Sequence, residues 1–239
     1  MQKETNNTDK LIKTEYKRAT NMWNETYAKC RLVDLKGKPL SVEPMFDICL
    51  DIFASKCRRV LDFGCGTGDI IFQCCEFGNT EYGLGVDVSE TGIKYAQKMA
   101  QLNHYDHLIF KVGDISLFKE YEAESFDGII ISNVLDVMPK DIALDTLKEL
   151  TRLIPVNGLM FVKLNPFYST QELESFGMKY ISDNLFEEDG VLRYRDLNTA
   201  VWKHTFEKNF EIIRYLEFPY PWQEGMNRLF LLSKKCNYD

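Results

Sequence analysis

From Arg58 onward the chain alternates between two hydrophobic periods, and this alternation narrows the possible folds more than any other feature. RRVLDF, EYGLGVDV, HLIFKVGD, FDGIIISN and GLMFVKLN are short, nearly continuous apolar runs. Between them stand TGDIIFQCCEFG, SETGIKYAQKMAQLN and PKDIALDTLKELTRLI, which read as helices. Ser89 is the expected N-cap of the second, and Pro155 with Gly158 closes the third. Strands joined through helices pair in parallel, with right-handed crossovers. The last two runs, FEIIRYLEF and RLFLLSKK, are separated only by PYPWQEGMN, too short for a helical crossover, so they pair antiparallel. The predicted class is α/β: an open, mostly parallel sheet of seven strands, helices on both faces, and an antiparallel last strand.

The flanks are less regular. Residues 1 to about 20 are polar, and in NMWNETYAK a helix would place Trp23 and Tyr27 on one face. EPMFDICLDIFASK reads as a helix begun at Pro44. In NLFEEDGVLRYR the pair Asp189-Gly190 between apolar runs predicts a hairpin, and NTAVWKHTFEKN a helix after it.

Composition removes several function classes. The chain has 239 residues, 45% of them hydrophobic, enough for one large domain with a substantial core. Its formal charge of -7 suits no polyanion, because nucleic-acid binding needs clustered Lys and Arg. Lys56, Arg58 and Arg59, like Lys234 and Lys235, read as solvated strand ends. Seven cysteines without a C-x-x-C pair predict neither a metal site nor a disulfide framework. MQKETNNTDK lacks the apolar core of a signal peptide, and no run approaches the roughly 18 apolar residues of a membrane span. A cytoplasmic location follows as the expectation.

The segment VLDFGCGTGD carries the chemistry. Gly64, Gly66 and Gly68 form G-x-G-x-G, one position short of the dinucleotide fingerprint and without the Lys of a phosphate-cradling loop. Asp62 precedes the loop and Asp69 follows it. A pyrophosphate there would meet two carboxylates in a low-dielectric crevice, where like charges repel strongly. An adenosine-bearing ligand with no phosphate and a positive charge is not repelled, and S-adenosylmethionine is such a ligand. Asp87, at the end of GLGVDV, suits the two ribose hydroxyls. Asp114, in KVGDIS, is placed for the adenine amino group, with Ile115 against the ring. Each acid alone has an ordinary explanation as a turn residue after a strand. Three at consecutive strand ends form a constellation.

These residues resemble a known family. VLDFGCGTGD is similar to the first motif of the class I S-adenosylmethionine-dependent methyltransferases. GVDVSETGIKYAQ resembles their second motif, GDI their third, FDGIIISNVLDVMP their strand-four segment and LTRLIPVNGLMFV the run into strand five. The resemblance spans about Arg58 to Leu164. It implies a three-layer Rossmann-like fold, S-adenosylmethionine as cofactor and S-adenosylhomocysteine as product. It also implies cofactor contacts at Asp62, Gly64, Gly66, Asp87, Val88, Asp114, Ile115 and Asn133, with Cys65, Thr67 and Val134 beside them. Residues 1–40 become a helical cover, from which Trp23 and Tyr27 cap the cofactor. Residues 41–239 become the methyltransferase domain, with a cofactor half at about 58–164 and an inserted substrate-side hairpin and lid at about 165–225. One departure is Val137, which stands where many relatives carry a His.

No catalytic residue stands out. Asn165-Pro166-Phe167-Tyr168 resembles the N-P-P-Y-type motif of nucleic-acid amino methyltransferases, but it follows the fifth strand and lacks the second Pro. Tyr168, Glu187, Glu188, Tyr194 and His204 are the candidates for a general base. The expected acceptor is a small molecule carrying an O, N or S nucleophile, with no nucleic-acid or membrane partner, and the chain a monomer or homodimer. The alternatives are a protein methyltransferase, a non-catalytic S-adenosylmethionine-binding protein and a nicotinamide-dependent oxidoreductase.

Overall fold

The computed structural model describes residues 17–36, 38 and 40–236; the first sixteen residues of the expected cover lie outside them. Helix α1 occupies 17–27 of the described residues, and α2 spans Pro44–Ala54. The alternating region then runs β1 (Arg59–Phe63), α3 (Asp69–Phe77), β2 (Tyr82–Asp87), α4 (Glu90–Leu102), β3 (Leu108–Val112), β4 (Gly128–Ser132), α5 (Lys140–Leu153) and β5 (Leu159–Leu164). After it come α6 (Thr170–Ser175), β6 (Lys179–Ser182), β7 (Leu185–Glu188), β8 (Val191–Arg195), α7 (Thr199–Glu207), β9 (Phe210–Pro219) and β10 (Met226–Lys234).

The main sheet has seven strands in the order β3-β2-β1-β4-β5-β10-β9. The pairs among β1 to β5 are parallel, and β10 runs antiparallel to both β5 and β9. The central strands β1, β2, β4 and β5 are buried on both faces, which is why they read as apolar runs without alternation. Alternation appears instead in which layer each residue enters. Phe161 of β5 packs with Phe46 and Phe53 of α2, whereas its neighbours Met160 and Val162 join Leu147 and Leu150 of α5 and Phe206 of α7 on the opposite face. Local signals agree with this packing. Glu43 accepts from the amides of Met45 and Phe46 to cap α2, and Ser89 accepts from Gly92 N at 3.0 Å to cap α4.

The segment after β5 forms a second, three-stranded antiparallel sheet, β6-β7-β8. Asp189 (φ 53°) and Gly190 (φ 74°) make the expected two-residue turn between β7 and β8. β6 and the single-turn-and-a-half helix α6 were not expected; α6 is held by a reciprocal Ser169–Glu172 capping box. All seven cysteines are free thiols. Among the described residues no helix is long and apolar enough to cross a membrane.

The chain leaves β1 toward β2 and β3, then returns across the sheet to β4 and β5. The carboxyl ends of β1 and β4 therefore border the crevice where open α/β sheets receive ligands. Behind β1, the end of α3 meets the end of α2 so closely that a Cβ at Gly78 would stand 2.2 Å from the Ala54 carbonyl oxygen. Gly78→Ala should destabilise the fold by about 1–3 kcal/mol through overpacking against backbone, read as a lower urea midpoint with unchanged slope.

Candidate functional site

The glycine loop is shaped by what surrounds it. Gly64, Gly66 and Gly68 all have positive φ, at 76°, 53° and 83°. A Cβ at Gly64 would stand 2.2 Å from Val134 Cγ2, and one at Gly66 would stand 2.6 Å from the Tyr27 hydroxyl. The turn and the close approach of the segment after β4 and of helix α1 thus both demand glycine. The loop is tied to β2: Gly64 N and Cys65 N donate to Val86 O, and Gly66 N donates to Asp87 Oδ2 at 2.8 Å. Asp87 Oδ1 accepts from Ser89 N, also at 2.8 Å.

Beside the loop lies a cavity of about 380 Å³. Its cofactor-side wall holds Gly64, Asp87, Val88, Asp114, Ile115, Asn133 and Val134, all expected from the sequence. Trp23 and Tyr27, stacked with centroids 5.6 Å apart, form part of its roof with Ala19, Thr20 and Met22. The opposite wall is Val137, Met138, Ile142, Thr146, Leu192 and Arg193. Four expected contacts are not on the wall. Asp62 and Cys65 are buried, Tyr27 covers Gly66, and Thr67 turns aside to donate to Asp69 Oδ2 at 2.8 Å.

The acids differ in their surroundings. Asp62 is 1% exposed and neither of its oxygens has a hydrogen-bond partner. Burial pushes its carboxyl up to about 8, Asp87 and Asp69 add to this, and the Ile71 amide pulls the other way without reaching hydrogen-bonding geometry. Burial also raises Asp87, against the pull of the Ser89, Gly66 and Val88 amides. Asp114 Oδ1 accepts from Ser116 N and Oγ, at 2.9 and 2.6 Å. Asn133, with φ 55°, is held by Lys163: the buried ammonium donates to Asn133 Oδ1 at 2.8 Å and lies 4.8 Å from the centre of the Tyr220 ring.

Sequence reasoning missed the residues that fasten the roof. Asn24 Oδ1 accepts from Ser89 Oγ at 2.7 Å and from Thr91 N at 3.1 Å, joining α1 to the start of α4. Arg18 Nη1 donates to Gly190 O at 3.4 Å, and Arg193 Nη1 lies 2.8 Å from Met22 Sδ, joining α1 to the hairpin. Asn24 sits between Trp23 and Glu25 in a polar helix face, where nothing in the sequence marks it. Arg193 alternates with Leu192 and Tyr194, and that period was the available signal.

The expected general-base candidates lie elsewhere. Tyr194 is buried, off the cavity wall, and its hydroxyl donates to Pro166 O. Tyr168 packs against it and donates to Glu224 O at 2.5 Å. Glu187 accepts from Gly190 N in the hairpin turn, and Glu188 pairs with Arg193 Nε at 3.2 Å. His204 is exposed on α7. In the N-P-F-Y stretch, Asn165 gives both its amides to Asp136 Oδ2, at 2.7 and 3.0 Å. All of these are engaged in structure or face away from the crevice.

A parallel sheet with a switch-point cavity, a glycine loop and an acid at the end of β2 defines an α/β protein built to hold a nucleoside-bearing ligand. Residues 54–212, about two thirds of the chain, match the family described as "Methyltransferase domain", and the chain belongs to that family. It is 30% identical over 100 residues to the ribosomal protein L11 methyltransferase of Acetivibrio thermocellus, covering 41% of this chain and 30% of that protein. The curated relatives it matches are covered over less than two thirds of their own length. The fold is shared with the 1,6-didemethyltoxoflavin-N1-methyltransferase of Burkholderia thailandensis, solved with 1,6-didemethyltoxoflavin and S-adenosylhomocysteine (TM-score 0.68, 15% identity, 91% of this chain and 87% of that one). It is shared also with a SAM-dependent methyltransferase of Methanosarcina mazei (TM-score 0.64, 18% identity, 83% and 100%).

Asp62 gives a stability test. Its folded pKa is about 8, and an unfolded Asp titrates near about 3.9. The folded state keeps a proton that the unfolded state has released, so this contribution to stability falls as pH rises from about 4 and levels off above about 8. Apo Asp62→Asn should therefore gain on the wild type as pH rises from about 5 to about 8, by at most about 1.4 kcal/mol per pH unit, measured by urea unfolding. A gap that does not change with pH would contradict this assignment.

Proposed function

We propose that the chain is an S-adenosylmethionine-dependent methyltransferase acting on a small molecule. The observation that carries this is the charge of the crevice. Two acids, Asp87 and Asp114, stand on the cavity wall, and the one basic residue there among the described residues, Arg193, belongs to the hairpin on the opposite side. A pyrophosphate on this loop would face two carboxylates with no cation beside them. A phosphate-free ligand that brings its own positive charge matches them.

The residues fit that ligand in detail. Asp87 has each oxygen on one backbone amide and keeps acceptor capacity for the ribose hydroxyls. Asp114 presents its second oxygen, with Ile115 beside it, to the adenine. Asp62, buried with no partner for either oxygen, complements an ammonium, through water since it lies beneath the wall. When bound, the cofactor supplies a methyl already activated on a positive sulfur. What remains for the protein is orientation and exclusion of water. Trp23 and Tyr27 roof the cavity, and residues 1–40 are best read as a cover on the domain 41–239. The apolar far wall, closed by α1 and β8, favours a small acceptor over a polymer.

Asp87→Ala should weaken S-adenosylhomocysteine binding by ~30-fold, the loss of a charged hydrogen-bond acceptor, in titration calorimetry. The wild type should bind S-adenosylhomocysteine and not NADH. Undiminished affinity in the variant, or a preference for NADH, would refute the assignment.

A further inference from the structure

The acceptor side of the cavity has an unusual inventory. Among the described residues, the titratable side chains on the cavity wall are Tyr27, Asp87, Asp114 and Arg193. The two acids belong to the ends of β2 and β3, and Tyr27 lies over the glycine loop, its phenol pushed up by burial and by Asp87. Among the described residues, no carboxylate and no histidine lines the part bounded by Met138, Ile142 and Leu192. That part therefore offers no base to remove a proton from an arriving acceptor.

It does offer donors. An ammonium donates and cannot accept, so the Lys163–Asn133 contact fixes the orientation of the Asn133 amide. Oδ1 faces Lys163, and Nδ2 of Asn133, a residue that lines the cavity, has no partner among the described residues. Across the cavity, Arg193 uses Nε on Glu188 and Nη1 against Met22 Sδ, leaving Nη2 free among the described residues. Glu188 lies outward, its side chain 44% exposed, so it neutralises Arg193 only weakly.

We propose, resting on the methyltransferase reading above, that the acceptor is an apolar molecule whose reacting end is an acidic oxygen, a carboxylate, phenolate or enolate, met by Arg193 and the Asn133 amine. The chemistry balances without a base. A lone pair on the anionic oxygen forms the O–C bond as the C–S bond breaks and its electron pair stays on sulfur. The negative oxygen and the positive sulfur become neutral together, and no proton moves. An alkylammonium acceptor would have to lose a proton first, on a wall with nothing to take it, and would face a guanidinium.

The test uses the full chain saturated with S-adenosylhomocysteine and two probes of one shape and opposite charge, benzoate and benzamidine. Benzoate should bind at least ~10-fold more tightly than benzamidine, the range of a charged hydrogen bond, by ligand-observed NMR titration. Arg193→Gln should remove that preference in protein still saturated with S-adenosylhomocysteine. Equal or tighter binding of benzamidine by the wild type overturns the proposal, and that comparison needs no variant to fold. So does an Arg193→Gln protein that binds both S-adenosylhomocysteine and benzoate as before. Failure of the wild type to bind S-adenosylhomocysteine at all overturns the underlying reading, and this proposal with it.

Discussion

Two backbone amides converge on the Asp87 carboxylate, and most of the site depends on that meeting. Gly66 N arrives from the loop after β1, and Ser89 N from the start of α4. One side chain therefore sets the loop, the end of β2 and the first turn of a helix relative to each other. Ser89 passes the arrangement on, since its hydroxyl both caps α4 and donates to Asn24 in α1. The cost of burying the Asp87 charge is offset by these amides, whereas Asp62 below it has no such compensation. The two acids, one strand apart, thus differ in one physical respect: the supply of hydrogen-bond donors.

The parallel core was legible because its physics is local. Strands β1, β2, β4 and β5 are buried on both faces and read as unbroken apolar runs, and each linking helix shows its own period. The Asp189-Gly190 turn was legible because two successive positive φ angles tolerate few residue pairs. The acids at the ends of β1, β2 and β3 were placed by counting from those strands. Asp62 shows the limit of counting: the strand position was correct, but the side chain points beneath the wall.

What was hidden depends on contacts between distant segments. β6, KYIS, is short and largely exposed, and it becomes a strand only because Tyr180 and Lys179 pair with β7. The tyrosines and glutamates of the hairpin look like bases in a sequence. In the structure, Tyr194 reaches Pro166 O across 28 positions and Tyr168 reaches Glu224 O across 56. The buried polar group behind the lid is of the same kind. Arg228 donates from Nε to Asn165 O at 2.9 Å and from Nη1 to Leu197 O at 2.7 Å, while Asn165 donates to Asp136. No motif announces it, because each member sits in a different element.

The roof of the cavity is seamed. α1 is bound to the body through Asn24, but it meets the β7–β8 hairpin through Arg18 at the turn and through the Met22–Arg193 contact. One is a long hydrogen bond to a carbonyl and the other a sulfur contact, both weak beside the amide–carboxylate bonds below. The same helix that roofs the crevice is therefore held firmly on one side, at Asn24, and loosely on the other, at Arg193.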